Sequence, residues 1–451
     1  MNASASLIID STRDLARRVS DFTGTAPDFG QLRDGYARLA LAPGSAVLVL
    51  APNSVDFLFH WIAILANGYV PCAIAPSTKA SLVTAIRDAL DIAAIVGAQL
   101  EPALHGATSP TPIGRYQAAV FAGTPAAYEP FDVLMLTTGT SGAQTACVHR
   151  LDSLVWNAGR TNERLCITAA DRQLVVVPMF HAYGLVTHSI GAIISGCELA
   201  IDGPPFNATR FAELVRTERI SICGVTPTIA RELLRKGAAL PTLRSLSIGG
   251  DRMLPDEIAR LLRGASLDEL YVTYGLTEAG PRISVLAAHT APAHTHDSVG
   301  IAFPGITTRI DNPDAAGVGQ LLVQTPAACR RRVGKHVARQ PFTPDGFLET
   351  GDLFTKDAAG YLRYVARASD VLIVKGEKLN VRSIDAVAES HPDVEFARTS
   401  PGDAQSLVTR VWARDGRALD LDEIRRFMGR SLRLHELPDT IIQESSSRFH
   451  K

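Results

Sequence analysis

The chain has 451 residues, 46% hydrophobic and 20% charged, a composition that folds and that excludes a disordered polymer. Lys+Arg number 45 against 46 Asp+Glu, a net charge of -1, so no overall field draws the protein onto nucleic acid or an anionic membrane. At roughly 100–200 residues per domain the length implies two to four folding units, large enough to need no disulfide or metal staple.

The opening MNASASLIIDSTRDLARR has no basic stretch before an apolar one, which is not the pattern of a secretory signal. Ala46–Leu50 reads as a strand, and the stretch from Asn53 reads as a helix capped by Asn53 or Ser54. Its apolar run Trp61–Ala66 stops at Asn67-Gly68, and the run Ile190–Ser195 contains Gly191; neither approaches the roughly 20 residues of a membrane span. Ser81–Leu90 and Phe211–Arg219 are amphipathic, and Leu174–Val177 and Ile220–Val225 are β-branched runs. Strands alternating with helices predict parallel βαβ units, hence a large layered α/β domain.

Near Val299 the texture changes to short strands and Gly/Pro/Asp turns, such as Asn312-Pro-Asp and Pro344-Asp-Gly, which predicts an added antiparallel β region. After Arg367 a small α+β domain follows: strand Val371–Val374, helix Arg382–Ser390, strand Leu407–Ala413 and helix Leu421–Arg433. The expected division is 1–366 and 367–451. Six cysteines stand singly, with no CxxC pair, and are expected to be buried reduced thiols, consistent with the cytoplasm.

The sharpest local signal is Leu134-Met-Leu-Thr-Thr-Gly-Thr-Ser-Gly-Ala143. A strand-like run enters a hexad, Thr137, Thr138, Gly139, Thr140, Ser141 and Gly142, in which glycines let backbone amides approach an anion and hydroxyls donate to it. It is not a Walker loop, which requires GxxxxGK[ST], and alone it could be an ordinary turn. Five further stretches follow in order: Val175–Leu185 (VVVPMFHAYGL), Leu246-Ser-Ile-Gly-Gly-Asp251, Tyr271-Val-Thr-Tyr-Gly-Leu-Thr-Glu278, Asp345–Asp352 (DGFLETGD) and Arg367–Gly376 (RASDVLIVKG). Together they resemble the adenylate-forming superfamily of acyl- and aryl-CoA synthetases, peptide-synthetase adenylation domains and luciferases, from about Leu41 to the C-terminus.

The resemblance implies that a carboxylate attacks the α-phosphate of ATP, that pyrophosphate leaves, and that a thiol of CoA or of a phosphopantetheinyl carrier protein captures the acyl-adenylate. It assigns the phosphates to Thr137–Gly142, the α-phosphate to Thr277, and Mg2+ to Glu278. Tyr274 with Gly275 would meet adenine, Gly249, Gly250 and Asp251 would let the backbone approach the base, and Asp352 and Arg367 would take the ribose. The hinge of the small domain falls on Ser369, and Lys375–Lys378 would face the thiol. The loop lysine of the family is replaced by Thr145. The family's catalytic lysine lies near the C-terminus in a Gly-Lys pair; this chain lacks the pair there, and Lys451 is the candidate.

His181 stands where amino-acid-activating members carry Asp, which points to acyl or aryl acids, with Val225–Thr228 and Gly249–Arg252 lining the rest. Arg252, if turned inward, would meet a second anionic or polar group. His294-Thr-His296 with Asp297 is read as a solvated loop, since a metal site there lacks further ligands. The expected partner is a small carboxylic acid, possibly with a carrier protein, and neither nucleic acid nor membrane. Transfer to an amine or another nucleophile, and an inactive binding homologue, stay open as alternatives.

Overall fold

The computed structural model describes the chain except residues 1–2, 23, 99, 101–105, 138–144, 238–239, 265–266, 336, 338, 375–376, 404–405, 415 and 445–451. Two compact units are formed, one from Met1–Arg309, Leu322–Thr350 and Lys356–Arg363, the other from Ile310–Leu321, Gly351–Thr355 and Tyr364–Lys451.

The first unit contains two eight-stranded sheets. One has the order Val19–Ser20, Glu198–Ile201, Arg172–Val175, Ile222–Val225, Ser245–Gly249, Glu269–Gly275, Arg282–Ala287 and Ile301–Ala302. Its first six strands are parallel, and its last two pairings are antiparallel. The other has the order Arg331–Gly334, Thr145–Arg150, Asp132–Thr137, Val70–Ile74, Ala46–Leu50, Ile92–Gly97, Tyr116–Val120 and Thr111–Ile113.

One apolar cluster takes Val47, Val49, Ala73 and Val133 from the second sheet, Val175, Leu199 and Ile201 from the first, and side chains of the helices between them. The helix Val55–Ala66 is the centre of that layer: eleven of its twelve residues are buried, Asp56 and His60 among them, as a largely apolar helix between two sheets requires. Ser54, not Asn53, caps it, accepting from Phe57 N at 3.0 Å. Asn53 instead joins two segments, donating to Val177 O at 2.9 Å and accepting from Met179 N at 2.7 Å. The outer faces are covered by Ala208–Thr217, Pro227–Lys236 and Pro255–Gly264 on one sheet and by Ala80–Ala89 on the other. The layered α/β architecture expected from the sequence is therefore the observed one, with the five layers helix, sheet, helix, sheet, helix.

A four-stranded sheet has the order Thr307–Asp311, Gly319–Gln324, Leu348–Lys356 and Leu362–Arg367. In the second unit Val371–Val374 pairs antiparallel with Glu377–Asn380. Leu407–Ala413 is flanked by Val394–Pro401, antiparallel, and Thr440–Glu444, parallel. The helices Val381–Glu389 and Leu421–Met428, capped by the Asn380 amide oxygen and an Asp420 carboxylate oxygen, bury Ile384, Ala388, Ile424 and Met428 against that sheet. The second helix is shorter than the expected Leu421–Arg433.

Five of the six cysteines are buried and all are free, but Cys166 is exposed, contrary to expectation. Among the described residues no helix is long and apolar enough to cross a membrane.

Candidate active site

The strand Glu269–Gly275 turns back into Arg282–Ala287 with a shift of register between Tyr274 and Gly275. The turn is tight: Leu276 N donates to Pro281 O at 2.9 Å. A Cβ on Gly275 would lie 2.0 Å from Pro281 O, so only glycine fits there. The short helical turn Thr277–Ala279 fills the loop, leaving Thr277 and Glu278 half-buried.

Two other segments fix its backbone. His149 Nε2 donates to Thr277 O at 2.9 Å, and Cys329 N donates to Glu278 O at 2.8 Å. His149 is fully buried, and burial pushes its pKa down to about 4, so the ring is neutral at pH 7. Arg332 Nη1 lies 3.9 Å from Glu278 Oε1, a loose pair that leaves the carboxylate able to accept a closer ligand. The end of the strand Asp132–Thr137 lies against the same turn. There Thr137 Oγ1 is 2.7 Å from Thr145 Oγ1. Thr145 is buried and hydrogen-bonded within the protein, so the position of the loop lysine carries no charge, and Arg332 is a cation that the structure does bring to Glu278. Thr138, Gly139, Thr140, Ser141 and Gly142 lie outside the described residues.

Gly249 ends its strand with no room for a Cβ, which would meet Arg282 Nη1 and Thr273 Oγ1 at 2.4 Å. Gly250 has φ +100° and open space on its Cβ side. Asp251 is exposed and accepts from Arg252 N at 2.7 Å. Arg252 is also exposed, so it does not turn inward to meet an acid, and its carbonyl accepts from Arg231 Nη2 at 2.9 Å. Tyr274 is half-buried beside the turn. Thr226 caps the helix Pro227–Lys236, accepting from Ile229 N at 3.4 Å.

His181 precedes a π-helix, Tyr183–Ile190. The ring keeps one side open, packs against Phe180 with centroids 4.6 Å apart, and is pushed below its ordinary pKa by the protein crowding its other side.

In the second unit Gly351 has φ +72° and Asp352 is buried. Arg367 Nη1 donates to Asp352 Oδ1 at 2.9 Å. Ser369 lies in the short turn Ala368–Asp370, which buries none of its side chains. Lys375 and Gly376, the side chains of Glu377 and Lys378, and Lys451 lie outside the described residues.

The His294–Asp297 segment is only partly a solvated loop, with His294 and Asp297 exposed. Thr295 and His296 are buried, His296 Nε2 donates to Ala288 O at 3.2 Å, and Asp297 takes Arg363 Nε on both oxygens at 3.0 Å. Among the described residues no group of three or more His, Cys, Asp and Glu could hold a metal ion.

The AMP-binding enzyme family matches residues 35–331, more than half of the chain. The chain belongs to that family. It is an enzyme of the adenylate-forming superfamily and an acyl-CoA synthetase-like, AMP-forming ligase. YngI of Bacillus subtilis, an acyl-CoA synthetase by name, is 24% identical over 68% of this chain and 59% of its own length. The sulfoacetate–CoA ligase of Cupriavidus necator is 27% identical over 92% of this chain and 87% of its own. The o-succinylbenzoate CoA synthetase MenE of Bacillus subtilis, in complex with AMP, superposes with a TM-score of 0.82 at 16% identity, covering 97% of this chain and 94% of that one. It shares the fold.

The sequence reading missed His149, Arg332, Asn157 and Arg282. His149 and Arg332 act on the Thr277–Glu278 turn from strands distant in the chain, a placement that no local pattern announces.

Proposed function

We propose that this enzyme activates an organic acid as its acyl-adenylate, releases pyrophosphate, and passes the acyl group to the thiol of CoA or of a carrier protein. The observation that carries the reading is the Thr277–Glu278 turn, held by His149 and Cys329 and approached by Arg332. A preorganised donor and a preorganised carboxylate act on a phosphoryl group without having to reorganise as charge develops. Thr277 donates its hydroxyl to the α-phosphate as the acid's oxygen bonds to phosphorus and the pyrophosphate oxygen leaves. The loop from Thr137 to Gly142 receives the departing phosphates, and Asp352 with Arg367 receives the ribose.

Glu278 fits Mg2+, because among the described residues its carboxylate has only the loose Arg332 ion pair. When bound, the ion neutralises phosphate charge. A structure of MenE holds ATP and a magnesium ion. His181 lines the approach of the acid. Domain 367–451 swings about Ser369 and delivers Lys451 to the adenylation step.

The test is pyrophosphate release from ATP with a panel of acids and no thiol, followed by transfer assays with CoA, with a phosphopantetheinyl carrier and with amines. Acid-dependent release and thioester formation are the expected results. Release followed by transfer only to an amine would replace the acceptor, and binding of ATP without release would leave an inactive homologue. Deleting Lys451 should slow adenylate formation by about a hundredfold to a thousandfold while sparing thioester formation from pre-made adenylate. No change in either step would make Lys451 an ordinary chain end.

A further inference from the structure

Arg282 pairs with Gly275 across the hairpin whose tip carries Thr277 and Glu278. It is 4% exposed. Asn157 grips its backbone from both sides, donating to Arg282 O at 2.8 Å and accepting from Arg282 N at 3.1 Å. The side chain is thus placed with care, yet it is poorly satisfied. Nη1 donates to Thr273 Oγ1, while Nε and Nη2 have no partner among the described residues, and no carboxylate among them pairs with the guanidinium.

The aromatic side chain beside it supplies no anion. The guanidinium carbon stands 4.1 Å from the centroid of the Tyr183 ring, a cation–π contact that eases the charge without using its hydrogens. Tyr183 in turn lies 5.0 Å from the ring of His188. His188 is 1% exposed, and burial together with the Arg282 charge pushes its pKa down to about 3. Gln173 Nε2 donates to Nδ1, so the neutral ring carries its proton on Nε2, which has no partner among the described residues.

The sheet beneath is shaped to bring this layer close. Gly224 pairs with Ser247, and Gly249 with Thr273, on one face of three adjacent strands. A Cβ on Gly224 would lie 2.4 Å from His188 Cε1 and 2.7 Å from Tyr183 Oη. A Cβ on Gly249 would lie 2.4 Å from Arg282 Nη1.

An arginine cannot shed its proton to relieve burial, and a buried charge without an anion is costly. No described residue supplies the complement, which leaves the place for a ligand. Nε and Nη2 form one edge of the guanidinium, the edge that takes both oxygens of a planar carboxylate. We propose that Arg282 binds a second anionic group of the acid substrate, so that the preferred substrates are dicarboxylic acids or acids bearing an equivalent oxyanion. The inference rests on the acid-activating reading above, and it moves to Arg282 the selecting role that an inward Arg252 would have had.

The test compares acids matched in size, butyrate with succinate and benzoate with phthalate, as substrates for pyrophosphate release by wild type, Arg282→Met and Arg282→Lys. Wild type should prefer the diacid of at least one pair by about a hundredfold in kcat/KM, through KM. Arg282→Met should lose that preference, whatever its rate on the monoacids. Arg282→Lys, which keeps the charge without the fork, should keep part of it. Wild type preferring the monoacid in every active pair, or an unchanged preference in Arg282→Met, would overturn the inference and leave acid activation standing. If no acid releases pyrophosphate, the activity reading fails on its own, and thermal shift decides here. Stabilisation of wild type by the diacids that Arg282→Met lacks supports the anion site; equal shifts refute it.

Discussion

Arg367 leaves 48% of its side chain exposed and donates at 2.9 Å to Asp352, whose side chain is 5% exposed. Arg282 reverses the arrangement: the cation is the buried member, and two of its three guanidinium nitrogens meet no acceptor among the described residues. In the first pair the burial cost falls on a carboxylate and is offset within the protein. In the second it falls on a group that stays charged at any accessible pH, and nothing described offsets it. A side chain held in that state, by a backbone clamp as exact as that of Asn157, is set up for a ligand and works against the stability of the empty protein. Glu278 and Arg332, 3.9 Å apart, stand between these cases, near enough to attract and too far to satisfy each other.

The largest effect that sharpens this contrast is expected at the loose pair. Glu278→Gln keeps the size and removes the charge, and adenylation should fall by about tenfold to a thousandfold with the melting temperature little changed. Unchanged pyrophosphate release would remove Glu278 from the reaction. Next, Asn157→Ala strands two buried backbone groups of Arg282 and should cost roughly 3 kcal/mol in denaturant unfolding. A cost near zero would mean that Arg282 is not clamped.

The third effect is one of pH. The unfolded chain protonates His149 near its ordinary 6.5, the folded chain only near 4, so stability is lost as pH falls from about 6.5 toward about 4. Between pH 7 and pH 5 this one residue should remove roughly 2 kcal/mol, and His149→Gln should flatten the slope by about one proton. His60 and His188, both pushed down to about 3 by burial, keep their share of the slope in that variant. An identical slope in wild type and variant would show His149 protonated in the fold.

The smallest effects test the comparison itself, because they carry opposite signs. Arg367→Met should lower stability by about 1 kcal/mol, a value held down by the solvent around the half-exposed guanidinium. Arg282→Met should leave stability unchanged or raise it by about 1 kcal/mol, because an apolar chain replaces a buried charge. A loss at both positions, read from chemical denaturation, would mean that Arg282 is satisfied in solution.

How far the sequence could be read depends on how local each signal is. The strand Ala46–Leu50 matches its expected bounds, and so does Leu407–Ala413, because β-branched runs flanked by turns need no tertiary partner to be recognised. The turn around Thr277 and Glu278 was legible as a turn from its own residues, and Asp352 and Arg367, picked out for the ribose, do meet each other. Arg282 was not. It sits in a strand of apolar neighbours, Ile283, Val285 and Leu286, where an arginine reads as an interruption, and only the register with Gly275 shows where it is. Arg252 drew attention because it adjoins Gly249–Asp251, but the chain turns outward there. The His294–Asp297 segment misled in the opposite sense: its polar residues suggested water, whereas His296 and Asp297 are satisfied by Ala288 and Arg363.

The π-helix Tyr183–Ile190 has a consequence for how this enzyme could change over generations. In it residues five apart lie above one another, as Ser189 shows by donating to Gly184 O at 3.0 Å. Tyr183 and His188 are also five apart, which is why their rings meet. In an ordinary α-helix, stacked neighbours are three or four apart, so the two rings would point in different directions. The meeting of the two rings beside Arg282 is thus written in helical winding. Losing one residue between Tyr183 and His188 would leave every side chain of the layer in the gene and still dismantle the layer. On the role proposed for Arg282, a single-codon deletion there would alter the choice of acid with no substitution at Arg282 itself.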